Sequence, residues 1–484
     1  MTLMVHGGWD NPGGKISTIG YTLAGHDRTI SLPIIERKGR ASSGHAVAIV
    51  GYTRDGFIIQ NSWSANWGER GFALLPYEDY MLHATDVWVA QVGVPVRVDL
   101  WQQGMADTTA GVQRADAIVP LDDIRPYTVD IGNNGRLSDS GDYWTTPADV
   151  ARLFKEIIPK QTANWATKRV LFYLHGGLND EAAVARRVIA FRDVMLANEI
   201  YPVHIMWESG VMEAIRDKIE DLFTGADDRA GGVAEWLRRT RDGLTEAKDW
   251  TFELTASVPG TALWSEMKKN AQLASSGPDR GMTIIADCVQ AALQPLAPAE
   301  RKKWELHVVG HSAGSIFAAH AMPLFCGAGI NFKTLQFMAP AMTVELFKST
   351  IMKQATAKQC PTPDLYILSD TGERDDDVGP YGKSLLYLVS NAFEGRRGTP
   401  ILGMAKYIVK PNGAADPDAD PAVMSFLRDH IVVAGAGGDD DAYPVSRSDS
   451  HGGFDNDPAT MNSLLWRIIG GNPIRKFTVR DLQY

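Results

Sequence analysis

The sequence contains few cysteines, no long apolar segment and no excess of positive charge. Only three of its 484 residues are cysteines, without a CxxC pair or a zinc-binding spacing, so a disulfide framework is not expected. No apolar run approaches the roughly 18 residues of a membrane-spanning helix. The net charge of −10 argues against a nucleic-acid-binding protein. The N-terminus has no signal-peptide pattern, so we expect a cytoplasmic protein. No metal-binding motif is present, and we expect no metal or cofactor.

Three zones follow one another along the chain. Residues 1–97 contain short β-rich runs separated by glycine or charged residues, which predict antiparallel strands. Residues 98–165 are mixed and are interpreted as a connector and lead-in. Residues 166–484 alternate apolar strands with helical patterns, which is typical of a mostly parallel, doubly wound α/β sheet. A mostly helical insert at about 208–300 is expected to form a cap over this sheet.

A nucleophile motif stands in the third zone. Residues 310–314 read GHSAG, directly after the apolar run WELHVV and directly before an apolar helical pattern. This G-x-S-x-G spacing produces a sharp strand-to-helix turn that exposes the serine hydroxyl, and the small flanking residues let helix and strand approach. We therefore predict Ser312 as a nucleophile and the amide of Ala313 as one oxyanion donor.

A serine nucleophile needs a base, and three histidines follow Ser312 in the chain. His320 lies in the helical pattern after the serine and is expected to point away from it. His430 starts an apolar run, whereas His451 stands in the polar loop SDSHGGFDND after that run. Since a base beyond the last strand can reach the carboxyl edge of the sheet, His451 is preferred to His430.

The orienting acid and the second oxyanion donor are predicted from two strand ends. Asp370 ends the strand DLYILSD, and Asp376 follows in a D-x-x-x-P loop; Asp376 is slightly preferred, and both stay open. The run FYLHGGLNDE places glycines after an earlier strand, where a main-chain N–H can approach a substrate oxygen. Gly177 or Leu178 is the expected donor there.

Residues from about 166 to 470 resemble the α/β-hydrolase fold in the order of the HGG loop, the GHSAG turn and the late histidine. The resemblance implies a serine hydrolase that forms an acyl-enzyme on Ser312 and is deacylated by water activated through His451. It implies a small-molecule or acyl substrate, with a carboxylic ester the first choice and thioesters or amides as alternatives. The helical insert would correspond to a lid over the substrate pocket.

The first zone carries a second constellation. His45 heads an apolar strand, Asn61 follows the next strand, and Trp63 comes two residues later in NSWSANWGERGF. These residues resemble the C-terminal half of a papain-like cysteine peptidase, in which they imply the base, the residue that orients it and a shielding indole.

The nucleophile of that family is a cysteine upstream of the histidine, whereas the first cysteine here is Cys288. Either the chain begins late, so that an N-terminal peptidase half is missing, or the half-domain now serves for binding; the first explanation is preferred. Two alternative functions therefore accompany the serine hydrolase: a cysteine peptidase whose nucleophile-bearing half is missing, and a non-catalytic binding protein.

Overall fold

The structure is a computed structural model, and it describes the chain apart from residues 24–25, 42, 88–118, 140–141, 177–180, 208–244, 377–380, 410–415, 436–442 and 483–484. The chain divides into two compact units, Met1–Gln113 and Arg114–Tyr484. The expected boundaries of the connector, residues 98 and 165, therefore do not coincide with this division. Among the described residues, no helix is long and apolar enough to cross a membrane.

The first unit is β-rich and contains sheets of three and five strands, in the orders β4-β1-β8 and β2-β3-β7-β6-β5. The strands are β1 Thr2–Val5, β2 Lys15–Leu23, β3 His26–Ile34, β4 Ser43–Ala46, β5 Ala48–Tyr52, β6 Gly56–Gln60, β7 Phe72–Pro76 and β8 Ala84–Asp86. One helix, Tyr77–His83, joins β7 to β8. Its core contains Trp9 and Trp67, whose indole N–H donates to the main-chain oxygen of Trp9 at 2.6 Å.

The second unit is built on a seven-stranded sheet in which every neighbouring pair is parallel. Its strands are β9 Thr128–Ile131, β10 Lys168–Leu174, β11 Ile200–Trp207, β12 Trp304–His311, β13 Thr334–Met338, β14 Asp364–Ile367 and β15 Ile431–Val433. The central strands are apolar and buried on both faces, as the near-continuous hydrophobic runs predict. The α/β class and the β-rich N-terminal region predicted from the sequence are thus confirmed.

Helices connect these strands and cover the sheet. In the part of the second unit that the structure describes, the α-helices are Leu121–Ile124, Pro147–Arg152, Ile158–Gln161, Glu181–Ala197, Thr245–Leu273, Gly281–Leu293, Pro298–Arg301, Gly314–Gly327, Val344–Phe347, Lys353–Thr356, Asp370–Asp375, Leu385–Leu388, Ala405–Ile408, Pro421–Phe426 and Pro458–Ile469. Turns of π-helix occupy Leu153–Ile157, Lys348–Met352 and Val389–Phe393. Turns of 3₁₀-helix occupy Arg125–Tyr127, His451–Gly453 and Val479–Leu482. Thr146 is the N-cap of the helix Pro147–Arg152 and forms a capping box with Asp149, in which each side chain accepts the other residue's main-chain N–H.

The strand order β15-β14-β13-β12-β10-β11-β9 determines where a site can form. The chain passes from β10 to β11 in one direction along the sheet and from β12 to β13 in the other. The crevice at the carboxyl ends of β10 and β12 is therefore the switch point of the sheet, where ligands bind in open α/β folds. Ser312 follows β12 directly, at this crevice.

Two differences from the sequence analysis concern the extent of the second unit. The predicted connector at 98–165 contributes β9, which pairs with β11 and forms an edge of the large sheet. The predicted cap at about 208–300 is described only from residue 245 onward; there the long helix Thr245–Leu273 and the helix Gly281–Leu293 occur. Its earlier part lies outside the described residues.

Candidate active site

Ser312 occupies a strained turn between β12 and the helix Gly314–Gly327. Its φ is +49°, a left-handed conformation that costs a non-glycine residue on the order of 1–3 kcal/mol and persists only where the surroundings impose it. Here the Ser312 N–H donates to Met338 at 2.9 Å, and its carbonyl accepts the Ala341 N–H at 3.1 Å. A Cβ on Gly314 would overlap the main-chain carbonyl of Leu174, which explains the glycine two residues after the serine.

His451 lies against the serine. Its Nε2 is 2.8 Å from Ser312 Oγ, and both residues are 5% exposed. Burial, together with the nearby charge of His311, lowers the pKa of His451 to about 3, so the ring is neutral at physiological pH. A neutral ring protonated on Nδ1 accepts the serine hydroxyl proton at Nε2, which is the arrangement a general base requires. His430 instead donates from Nδ1 to the carboxylate of Asp364 at 2.9 Å.

The two predicted acids lie in different surroundings. Oδ2 of Asp376 accepts the main-chain N–H of His451 at 2.9 Å. Asp370 instead accepts the Tyr387 hydroxyl at 2.6 Å and forms an ion pair with Arg374 at 2.9 Å. Among the described residues, Nδ1 of His451 has no hydrogen-bond partner. The structure therefore brings Asp376, and not Asp370, to the segment that carries His451.

The predicted oxyanion donors are only partly described. Ala313 follows Ser312 and begins the helix as its N-cap, where helical N–H groups point outward. Gly177 and Leu178 lie outside the described residues. The residue before them, Gly176, packs against the serine, because a Cβ at this position would be 3.3 Å from the Ser312 Cβ. The end of β10 thus approaches the nucleophile so closely that only glycine fits without a shift of the neighbouring atoms.

A buried carboxylic acid adjoins Asp376. Glu373 is 1% exposed, accepts the Ser384 hydroxyl, and leaves Oε1 without a partner among the described residues. Burial, with the nearby Asp376 and Asp370, raises the pKa of Glu373 to about 8. Its side chain is therefore mainly protonated at neutral pH and adds little negative charge beside Asp376.

Sequence reasoning missed the polar groups that lie beneath His451. The His311 ring contacts the main-chain oxygen of His451 and the carboxylate of Asp455, which in turn binds Arg187. The only signals were the histidine in GHSAG and an aspartate four residues after His451. Neither residue type indicates whether its side chain lies in a buried network or in a solvated loop. The contacts that form the network join segments more than 100 residues apart in sequence, so a local pattern does not show them.

In the first unit, the three papain-like residues are assembled. Nε2 of His45 is 2.7 Å from Oδ1 of Asn61, and the Trp63 ring centroid lies 4.5 Å from that of His45. Because an amide oxygen only accepts, the proton of the neutral ring lies on Nε2 and Nδ1 is left as the basic nitrogen. The arrangement can orient a histidine base, while the three cysteines of the chain all belong to the second unit.

A further cluster in the first unit consists of residue types that bind metals, but one of the nitrogens that would have to bind the metal carries a proton. Ligand atoms of His6, Asp79 and His83 lie within 4.8 Å of one another. However, Nδ1 of His6 accepts the main-chain N–H groups of Gly8 at 3.1 Å and Lys38 at 3.4 Å. The proton of this ring therefore lies on Nε2, which faces the Asp79 carboxylate at 3.1 Å. The hydrogen-bonded cluster joins the residue that follows β1 to the helix Tyr77–His83, and Nε2 of His6 is not free to bind a metal.

Comparison with known proteins agrees with the N-terminal site. A family model described as papain family cysteine protease matches residues 28–87, the segment that contains His45, Asn61 and Trp63. The resemblance to a papain-like peptidase predicted from these residues is thus confirmed for residues 28–87, and the match favours a peptidase-like, hydrolytic function for this segment. No curated protein and no solved structure matches the chain.

Proposed function

We propose that the second unit is a serine hydrolase that cleaves a carboxylic ester, with thioesters and amides as chemically related substrates. The observation that carries the proposal is the 2.8 Å contact between Ser312 Oγ and Nε2 of a neutral His451. Further support comes from the left-handed conformation of Ser312 and its position at the switch point of a parallel sheet. These features agree with the resemblance of the sequence to the α/β-hydrolase fold.

The reaction proceeds in two acyl transfers. His451 takes the hydroxyl proton as Ser312 Oγ attacks the substrate carbonyl carbon, and the resulting oxyanion is stabilised by the Ala313 amide and, from the sequence, by Gly177 or Leu178. Collapse of this intermediate expels the alcohol, which receives the proton from His451. Water then attacks the acyl-enzyme while His451 accepts a water proton. Collapse of the second intermediate breaks the bond to Ser312 Oγ, which receives that proton from His451 as the carboxylic acid leaves. No cofactor enters these steps.

Asp376 is the acid in this scheme. Its carboxylate holds the main-chain N–H of His451 at 2.9 Å, so its negative charge lies beside the residue that becomes positively charged during each proton transfer. Asp370 is the weaker choice, because Tyr387 and Arg374 already engage its two oxygens. The raised pKa of Glu373 limits a second negative charge next to Asp376.

Covalent labelling tests the nucleophile. A fluorophosphonate probe is expected to label the wild-type protein and not the Ser312→Ala variant, since the probe reacts with an activated serine. Circular dichroism shows whether both proteins are folded. Absence of labelling in folded wild-type protein, or equal labelling of the variant, would refute the proposed function.

A matched pair of histidine variants tests the base. His451→Ala is expected to abolish hydrolysis of a p-nitrophenyl ester, whereas His430→Ala is expected to retain it. His430 is a suitable control because it directly precedes β15 and contacts Asp364 at the start of β14. Both residues therefore lie at the amino ends of parallel strands, whereas Ser312 follows the carboxyl end of β12. Retained esterase activity in His451→Ala would contradict the assignment.

A second function is supported by a separate observation. His45 and Asn61 form a 2.7 Å hydrogen bond inside the segment that the papain family model matches. This half-site supplies a base and its orienting residue, and peptide hydrolysis through it requires a thiolate that the first unit does not contain. A non-catalytic binding role for this unit is the remaining alternative.

The second function predicts a distinct inhibitor profile. Hydrolysis of a fluorogenic peptide should require an added cysteine-bearing papain-type half, persist in Ser312→Ala, be lost in His45→Ala and be blocked by a thiol-directed epoxysuccinyl inhibitor. If the folded full-length chain together with that half hydrolyses no peptide, or if Ser312→Ala alone abolishes the activity, the peptidase function is refuted.

A further inference from the structure

Four buried side chains form a cluster directly beneath the Ser312–His451 pair. The His311 cluster, as we call it, consists of His311, Asp455, Arg187 and Tyr173, each at most 5% exposed. Nε2 of His311 lies 3.0 Å from the main-chain oxygen of His451, and Nδ1 lies 3.3 Å from Oδ2 of Asp455. Oδ2 of Asp455 also accepts the Tyr173 hydroxyl at 3.2 Å and pairs with Arg187 at 3.1 Å.

The partners of His311 determine its protonation. A main-chain carbonyl oxygen only accepts hydrogen bonds, so Nε2 carries a proton. Burial alone would raise the pKa of Asp455, but Arg187 and His311 hold that pKa well below its usual value, so the carboxylate is ionised and also only accepts. Nδ1 must then carry a proton as well. His311 is therefore an imidazolium ion, buried between an anion and a carbonyl dipole.

His451 is consequently held at three separate atoms by two segments of the chain, the turn at His311–Ser312 and the loop at Asp376. Its main-chain N–H donates to Asp376 at 2.9 Å, its main-chain oxygen accepts from His311 at 3.0 Å, and its ring meets Ser312 at 2.8 Å. Both main-chain polar groups are thus fixed by charged side chains. Such fixation matters because a misplacement of about 1 Å at a catalytic group reduces rates on the order of 100-fold.

We propose that His311, charged and anchored by Asp455, is a positioning residue that fixes the main chain of His451 and keeps the His451 ring unprotonated. The inference rests on the proposed hydrolase function, since it assigns His311 a role through the base of that reaction. The second effect is electrostatic: a cation one residue from the nucleophile opposes protonation of the neighbouring imidazole. The two ring centroids are 5.8 Å apart.

The charged and titratable side chains that face His451 among the described residues come from separate elements. His311 ends β12, Asp455 follows the turn His451–Gly453, and Asp376 follows the helix Asp370–Asp375. Asp455 favours protonation of His451 and His311 opposes it. Removing the charge of His311 alone should therefore raise the pKa of His451.

Two substitutions of similar size separate these effects in the full-length protein. His311→Gln keeps an N–H donor for the His451 oxygen but carries no charge, and His311→Leu has neither. With a p-nitrophenyl ester, His311→Leu is expected to lower kcat by about 100-fold with KM changed less than about twofold, because only the position of the base is altered. His311→Gln is expected to retain kcat within about tenfold of the wild type.

The pH profile supplies a readout that a merely structural role would not move. In both variants the acid limb of kcat/KM should shift to higher pH, because the charge that opposes protonation of His451 is gone. An unchanged acid limb, or equal losses of kcat in the two variants, would overturn the inference. Thermal unfolding of both variants, followed by circular dichroism, verifies that the compared proteins are folded.

Nuclear magnetic resonance separates this inference from the proposed function. In protein with ¹⁵N-labelled histidine, the His311 signals, assigned with His311→Gln, should show both ring nitrogens protonated at pH 7. Fluorophosphonate labelling of Ser312 together with a neutral His311 would overturn the inference and leave the hydrolase function standing. A doubly protonated His311 in a wild-type protein that is not labelled would overturn the hydrolase function and, with it, the catalytic role of the cluster.

Discussion

Replacing Glu373 with glutamine is expected to change how the stability of the second unit depends on pH. Burial raises the pKa of Glu373 from its ordinary value of 4.5 to about 8. Between these values the folded state holds a proton that the unfolded state has released, so raising the pH disfavours the folded state. Full stabilisation is therefore present below about pH 4.5 and is lost as the pH rises through about 8.

The expected magnitude follows from this pKa difference. At about 1.4 kcal/mol per pKa unit, the wild type loses on the order of 3 kcal/mol between about pH 5 and pH 8 relative to a variant that cannot titrate. Glu373→Gln is such a variant, and its amide keeps the shape of the acid and an oxygen that accepts the Ser384 hydroxyl. The variant should thus be close to the wild type in stability near pH 5 and more stable at pH 8.

Urea-induced unfolding followed by tryptophan fluorescence at both pH values measures the difference. Glu156→Gln is the matched control, because it makes the same chemical change at a side chain that is 72% exposed. The control should show the same difference from wild type at pH 5 and pH 8. A difference for Glu373→Gln that stays constant between the two pH values, or that grows toward low pH, would refute the reasoning.

Three further predictions, two of them with a control variant, concern the site and its surroundings. Asp376→Asn should lower kcat for ester hydrolysis about 100-fold or more and Asp370→Asn less than about threefold in steady-state assays; the reverse order would exchange their roles. Gly314→Ala should lower the free energy of unfolding by several kcal/mol, because its Cβ would overlap a carbonyl of β10, whereas Gly327→Ala, which meets nothing within 4 Å, should not. His204→Phe should raise the free energy of unfolding by about 1–3 kcal/mol at pH 7, since both buried ring nitrogens of His204 lack partners among the described residues. The gain should be larger at pH 5, because burial lowers the pKa of that ring to about 3 and the unfolded state binds a proton that the folded state does not. A gain that does not grow between pH 7 and pH 5 would contradict this.

Local patterns predicted the parts of the fold that depend on neighbouring residues. The near-continuous apolar runs of β10 to β14 indicated buried parallel strands, and the glycines around Ser312 indicated a tight strand-to-helix turn. The edge strand β9 was not predicted, since its four residues have no distinctive period and belong to the sheet only through their pairing with β11. The papain-like segment was found because its motif residues lie within a short stretch of chain.

The amino-acid pattern alone specified the α/β class, the parallel strands, the turn at Ser312 and the choice of His451 over His430 as a predicted base. The folded chain was needed to show which carboxylate lies beside His451 and which groups lie beneath it. Asp376 and Asp370 are alike in sequence, and their difference arises from contacts with residues 75 and 17 positions away. The charge of His311 and the raised pKa of Glu373 have the same origin, because burial and partners, rather than residue type, determine where a proton is held.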